Sequence, residues 1–234
     1  MVENIHLSIP ILLSVVIAWL LLRRAYQRTQ LLPEELALAF AWAFVVGGLM
    51  WLEAFSNEST LLGFGEPWTW LAAVHFAAAG YGVLTISALT CRVVSDARVL
   101  RRLRVLLAMH PVVYFVTAAG LSGVAYCSTL GAFLYQVLFI VQLVSYLRGT
   151  PNRMPRGPRI ALIIALSVPV VTLLPALVWA WDSRRIHLSE IAYYHGVINA
   201  VGHVGLGFVA FLWGRPPAHA PISRDGAAPG ASVA

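Results

Sequence analysis

The sequence contains no lysine; all sixteen of its basic residues are arginine. Without a lysine no Schiff base can form, which closes the retinal-protein class to this chain. Charge of either sign is scarce. Asp, Glu, Lys and Arg make up 11% of the residues, against about 25% in soluble domains. A soluble fold of 234 residues could not cover its surface with so few charges. Only two cysteines occur, Cys91 and Cys127. They fall near opposite ends of expected helices and read as small apolar residues rather than a disulfide. No Cys/His cluster has zinc spacing. A nucleophile elbow, a phosphate loop and an aspartate-rich diphosphate motif are also missing. This argues against hydrolases with covalent intermediates, ATP-driven pumps and diphosphate-ionising prenyltransferases. The expectation is therefore a protein without metal or cofactor.

What the sequence has in abundance is apolar surface, with 59% hydrophobic residues and a mean hydropathy of +0.78. Lipid is the solvent such a composition suits. Seven apolar stretches can be marked, roughly 6–22, 34–56, 68–91, 105–122, 129–147, 159–181 and 188–213. Each is near the length of about 20 residues that a membrane helix needs. The fold class expected is all-α: a polytopic seven-helix transmembrane bundle over residues 1–214, followed by a disordered cytoplasmic tail, 215–234, rich in Pro, Gly and Ala. The first stretch is followed by Arg23 and Arg24 and lacks a cleavage motif, so it reads as a retained helix rather than a signal peptide. Fourteen of the sixteen arginines fall on one side of the expected topology, and only Arg184 and Arg185 on the other. The positive-inside rule makes the arginine-rich side cytoplasmic and the N-terminus external. Trp68, Trp70, Trp179 and Trp181 fall near the opposite interface, where aromatic belts belong. The location expected is the cell membrane. The net charge of +6 is spread in short clusters between spans, so nucleic acid is not an expected partner.

Polar side chains inside a bilayer are costly, and each is a functional hypothesis. Glu53 sits near the outer end of the second stretch, a lone carboxylate placed as a proton donor at a hydrated mouth. His75 lies about two turns into the third stretch, with Tyr81 deeper, and Gln136 takes a similar level on the fifth. On the seventh, His195, Asn199 and His203 recur at i, i+4 and i+8, along one stripe. These groups converge on the outer half of the bundle. Bland readings stand beside them. His75, followed by three alanines and Gly80, equally suits a hydrogen bond across a close helix contact. Asn199 equally suits interhelical glue, and His203 a satisfied bundle histidine. His110, just before Pro111, reads as a structural group, Glu34 and Glu35 as partners of a helix N-terminus, and Asp182 as a group facing water or Arg184 and Arg185.

Two segments carry a resemblance. His75-Phe-Ala-Ala-Ala-Gly80 resembles the His-x-x-x-Ala-Gly motif of YndJ-like integral membrane proteins. His195-Gly-Val-Ile-Asn-Ala-Val-Gly202 resembles that family's His-Gly-x-x-Asn-Ala-x-Gly motif. The family is loosely transporter-like. A weaker similarity is to small integral-membrane meroterpenoid cyclases, which protonate an epoxide or alkene on a prenyl chain through acidic residues at the membrane mouth. Their second helix carries Trp-Glu, whereas here Leu52 separates Trp51 from Glu53; Asp182 would stand for their late aspartate. The function expected is an intramembrane acid-base enzyme, a cyclase or isomerase of a lipophilic, isoprenoid-like small molecule arriving from membrane lipid. The catalytic set is Glu53, His75, His195, Asn199 and Asp182, and the substrate-binding set is Trp51, Tyr81, Gln136, Tyr194 and His203. The alternative expectation is a proton-coupled small-molecule transporter using the same residues.

Overall fold

The computed structural model describes residues 6–27, 32–149 and 153–217. Arg28, Arg224 and nearly all of the expected tail lie outside these. Among the described residues there are seven helices long and apolar enough to cross a membrane: α1 Ser8–Tyr26, α2 Pro33–Ser56, α3 Trp68–Val93, α4 Ala97–Leu121, α5 Cys127–Arg148, α6 Arg156–Trp181 and α7 Leu188–Gly214. Their count matches the seven apolar stretches. The largest departure is the start of α4, eight residues before the expected position 105. Asp96 caps it, its carboxylate accepting the amides of Arg98 (2.8 Å) and Val99 (2.9 Å). Arginine is itself a good helix former, so the arginine-rich segment is helix rather than loop. Pro33 occupies the first turn of α2, where its missing N–H interrupts no helical hydrogen bond.

Consecutive helices run up and down, α1 against α2, α2 against α3, and so on to α6 against α7, with α3 also meeting α7. α3 and α5 are the most enclosed, half of each lying inside the bundle. The α3–α7 contact is close because glycines line it. A Cβ on Gly82 would meet Val204, and one on Gly207 would meet Ile86 at 2.8 Å, so neither position tolerates a side chain without separating the helices.

Side-chain links identify two ends. At one, Glu34 of α2 pairs bidentately with Arg104 of α4 (2.9 and 3.0 Å). There too Arg153 donates to the carbonyl of Arg92 (3.0 Å), and Gly157 faces Trp213. This is the arginine end. Glu34 and Glu35 do begin α2 as expected, but Glu34 is buried and held by Arg104 rather than by the helix dipole alone. At the opposite end Glu53 meets the start of α1, and Thr129 of α5 donates to the carbonyl of Ala180 on α6 (2.7 Å). Cys91 and Cys127 are both free thiols. The exterior is aliphatic and aromatic, with Val105, Phe115, Leu174, Val201 and Leu212 all exposed, whereas buried polar groups sit within. That is the arrangement lipid selects.

Candidate functional site

Two helices depart from α-winding where the sequence motifs lie. α3 is π-helical over Phe76–Gly82, directly after His75. α7 is π-helical over Ala192–Val197 and Asn199–Gly205, which contain His195 and His203. Such i→i+5 stretches cluster at functional sites. They also place more residues in each turn than the α-helix, bringing the i, i+4, i+8 series of His195, Asn199 and His203 nearer to one line.

α6 supplies the backbone that this stripe faces. Pro169 lies inside α6 and, lacking an N–H, leaves the carbonyl of Ala165 without its helical donor. His203, fully buried, takes that carbonyl through Nδ1 at 2.8 Å. A second proline, Pro175, lies six residues further on; it frees the carbonyl of Val171, and His195 packs against the next one, Thr172. At Ala165 a neighbouring helix thus satisfies a group that proline frees, as proline-containing membrane helices require. His203 is therefore a satisfied bundle histidine on one nitrogen only. Its Nε2 is buried with no hydrogen-bond partner among the described residues.

Asn199 positions His195. Its amide donates to the His195 carbonyl at 2.7 Å and faces the ring Nδ1 at 3.1 Å. The carbonyl can only accept, so the amide nitrogen must be on that side, and the ring Nδ1 is left as an acceptor. His75 lies within electrostatic range of His195 and stacks on Tyr114 of α4, centroids 5.3 Å apart. It is partly exposed, and neither of its ring nitrogens has a hydrogen-bond partner among the described residues.

The cluster continues inward. His110 of α4 bonds the carbonyl of Ala79, within the π stretch of α3, through Nε2 at 3.0 Å. The backbone group it caps is on another helix and is not one freed by Pro111. Its ring meets Tyr135 edge-on at 5.4 Å; Tyr135 stacks on Phe139 at 5.9 Å, and Phe139 meets His203 edge-on at 5.5 Å. His110 interacts electrostatically with both His75 and His203. Gln136 donates to the Val170 carbonyl at 3.0 Å. His110 Nδ1, Gln136 Oε1, Asn199 Oδ1 and the hydroxyls of Tyr114 and Tyr135 have no hydrogen-bond partner among the described residues. Each such group costs roughly 1–3 kcal/mol when left alone.

The remaining expected residues lie elsewhere. Glu53 accepts the Leu7 amide at 3.4 Å and faces His6 at 3.4 Å, so its described contacts are with the start of α1. Asp182 ends α6 and accepts from the Arg184 amide and Arg185 Nε, each at 3.2 Å. Trp51 packs near Phe64 (6.4 Å). Tyr81 lies between Trp42 of α2 (5.3 Å) and Phe208 of α7 (6.2 Å). Tyr194 is exposed, its ring against Tyr193. The sequence reading sets His110 aside and passes over Tyr114 and Tyr135, although His110 and Tyr114 stand one helical turn apart. Among the described residues no group of three or more His, Cys, Asp or Glu could hold a metal ion.

The model of the YndJ-like protein family matches residues 7–203, a span from the start of α1 to His203 itself. The chain belongs to the YndJ-like family. No curated protein and no solved structure matches it. The family match thus encloses both histidine motifs and the four clustered imidazoles, and the description of this YndJ-like chain's chemistry rests on its own residues.

Proposed function

We propose that this YndJ-like protein is an intramembrane acid-base enzyme of the cell membrane, an isomerase or cyclase of a lipophilic molecule that enters from the bilayer. The observation that supports the reading is the state of His75: partly exposed, without a hydrogen-bond partner at either ring nitrogen among the described residues, and within electrostatic range of a second imidazole held by Asn199. A general base needs a free lone pair within reach of substrate and a neighbour that fixes the geometry. His75 takes a proton from one carbon of the substrate, exchanges it with water and returns one at another carbon, while His195, held by Asn199 and the Thr172 carbonyl, stays a fixed imidazole within electrostatic range. This chemistry suits a proton shift next to a carbonyl. An imidazolium is too weak an acid to protonate an isolated alkene, and Glu53, the expected donor for that step, is engaged with α1. The proposed orientation places the starts of α3, α5 and α7 outside, so the histidine pair opens toward the outer leaflet.

Substrate and product of such a reaction are isomers, which makes the test independent of knowing either. Membranes carrying wild-type protein or His75→Gln are incubated in D₂O and their lipid extracts compared. The wild type is expected to show a pair of isomeric species whose product member is heavier by one carbon-bound deuterium. His75→Gln is expected to lower its formation by about 10² or more, the scale of a lost general base. Equal deuterium incorporation in both membranes would remove His75 from the reaction. A proton-coupled carrier would instead alter accumulation of a solute and leave carbon-bound deuterium unchanged.

A further inference from the structure

Below the histidine cluster the polar groups do not stop. α5 presents Tyr135, Gln136, Gln142, Ser145 and Tyr146 to the interior, and all five are at least nine-tenths buried. From Tyr135 to Tyr146 is eleven residues, about 16 Å of helix rise, roughly half of a bilayer's hydrocarbon thickness. Facing them on α3 is Ser87, with the buried Thr85 on another face of the same helix. Gln142 Nε2 donates to Ser87 Oγ at 3.1 Å, tying the two helices at mid-course. The hydroxyls of Thr85, Ser145 and Tyr146 have no hydrogen-bond partner among the described residues. Tyr146, at the far end, lies within electrostatic range of Arg159 at the arginine end. At the near end the series joins Tyr135, His110 and Tyr114, and through them His75 and His195.

Apolar packing alone would not place five hydroxyls and amides on the most enclosed faces of the bundle, since each costs free energy unless hydrated or paired. We infer that α3 and α5 enclose a proton-transfer column running from the histidine pair to the arginine end, carried by hydroxyls, imidazoles and water. Its chemistry is relay. At each hydroxyl one O–H bond forms on the entry side as another breaks on the exit side, so the group ends as it began. At His110 the Nε2–H stays on the Ala79 carbonyl, so a proton is received and released at Nδ1. At His203 the Nδ1–H stays on Ala165, so Nε2 plays that part. Gln142 and Ser87 form the one direct side-chain link between α3 and α5 given by a hydrogen bond among the described residues. Along the column the charged and titratable groups are His75, His195, Tyr114, Tyr135, His110, His203, Tyr146 and Arg159, with Cys91 bonded to the Ser87 carbonyl and, toward the arginine end, Arg92 and the Glu34–Arg104 pair in electrostatic range of that thiol. The column does not depend on the identity of the substrate proposed above.

The full chain, reconstituted in phosphatidylcholine vesicles, is tested with an acid-outside pH gradient, potential clamped by potassium and valinomycin, and a pH dye inside. Wild-type vesicles are expected to lose the gradient several-fold faster than protein-free ones. Gln142→Leu is expected to lower the flux in excess of protein-free vesicles by about tenfold, the effect of one hydrogen-bond link added to the barrier. Should Gln142→Leu fail to give monodisperse protein, Tyr135→Phe removes a single oxygen and is expected to slow the flux in the same direction. Wild-type flux no faster than bare lipid, or full flux in a well-folded variant, would overturn the column. Either result leaves the deuterium test of His75 unaffected, since that test reads product.

Discussion

Asn199 is where a single side chain decides what its neighbour can do. Its amide must serve the His195 carbonyl, which fixes the ring Nδ1 as acceptor and leaves the proton on Nε2. Asn199→Ala is therefore expected to lower isomer formation by about tenfold or more. In ring-¹⁵N spectra, His195 should change from one tautomer to a mixture, a signature that loss of packing alone would not produce. An unchanged tautomer would deny Asn199 its positioning role. Glu53 gives the opposite expectation. Its partners are the backbone of Leu7 and a largely exposed His6, so Glu53→Gln should retain conversion and change stability by about 1 kcal/mol or less. Loss of conversion in that variant would restore Glu53 as the acid. Intramembrane rarity and motif shape made His75, His195, Asn199 and His203 legible in the sequence. They did not separate Glu53 from these, because depth along a helix says nothing about which face a carboxylate takes. Tyr114 and Tyr135 were illegible for another reason: an aromatic in an apolar run looks the same whether its hydroxyl is buried alone or lies in lipid.

Between elements, the contact that most constrains the bundle is the one joining α2 to α4. Glu34 is almost wholly buried and Arg104 three-quarters so, and two parallel hydrogen bonds connect them. Removing one partner strands a buried charge. Arg104→Met is expected to destabilise the protein by about 3 kcal/mol, read as a lowered melting temperature in detergent. Glu34→Gln with Arg104→Met should recover much of the loss, since no uncompensated charge then remains. A double variant as unstable as the single one would mean that the guanidinium acts by packing rather than by pairing. Hydropathy gave the existence and order of all seven helices, because twenty apolar residues have few other solutions. The pairing of Glu34 with Arg104 was beyond it, as was the early start of α4. Arginines near a span look like loop until a cap such as Asp96 shows where the helix begins.

For the whole molecule, the question left to measurement is which way the bundle faces. The contacts of Glu34 with Arg104, Arg153 with the Arg92 carbonyl, and Gly157 with Trp213 gather the arginine-bearing termini at one end. The loop after α2 and the turn after α6, with Arg184 and Arg185, belong to the other. Those two are partly offset, since Asp182 pairs with Arg185, whereas twelve of the described residues at the arginine end are arginines. Such an imbalance over short loops sets orientation at insertion. A reporter fused after Gly214 is therefore expected to read cytoplasm, and one inserted within residues 57–66 to read exterior. The consequence reaches the chemistry. His75 and His195 lie toward the end opposite the arginines, so under the proposed function this orientation would admit substrate from the outer leaflet and direct the proposed column inward to the cytoplasm. The reverse readout would leave the bundle and its histidine cluster intact but turn both around. Substrate would then arrive from the inner leaflet, and protons leaving the pair would emerge outside.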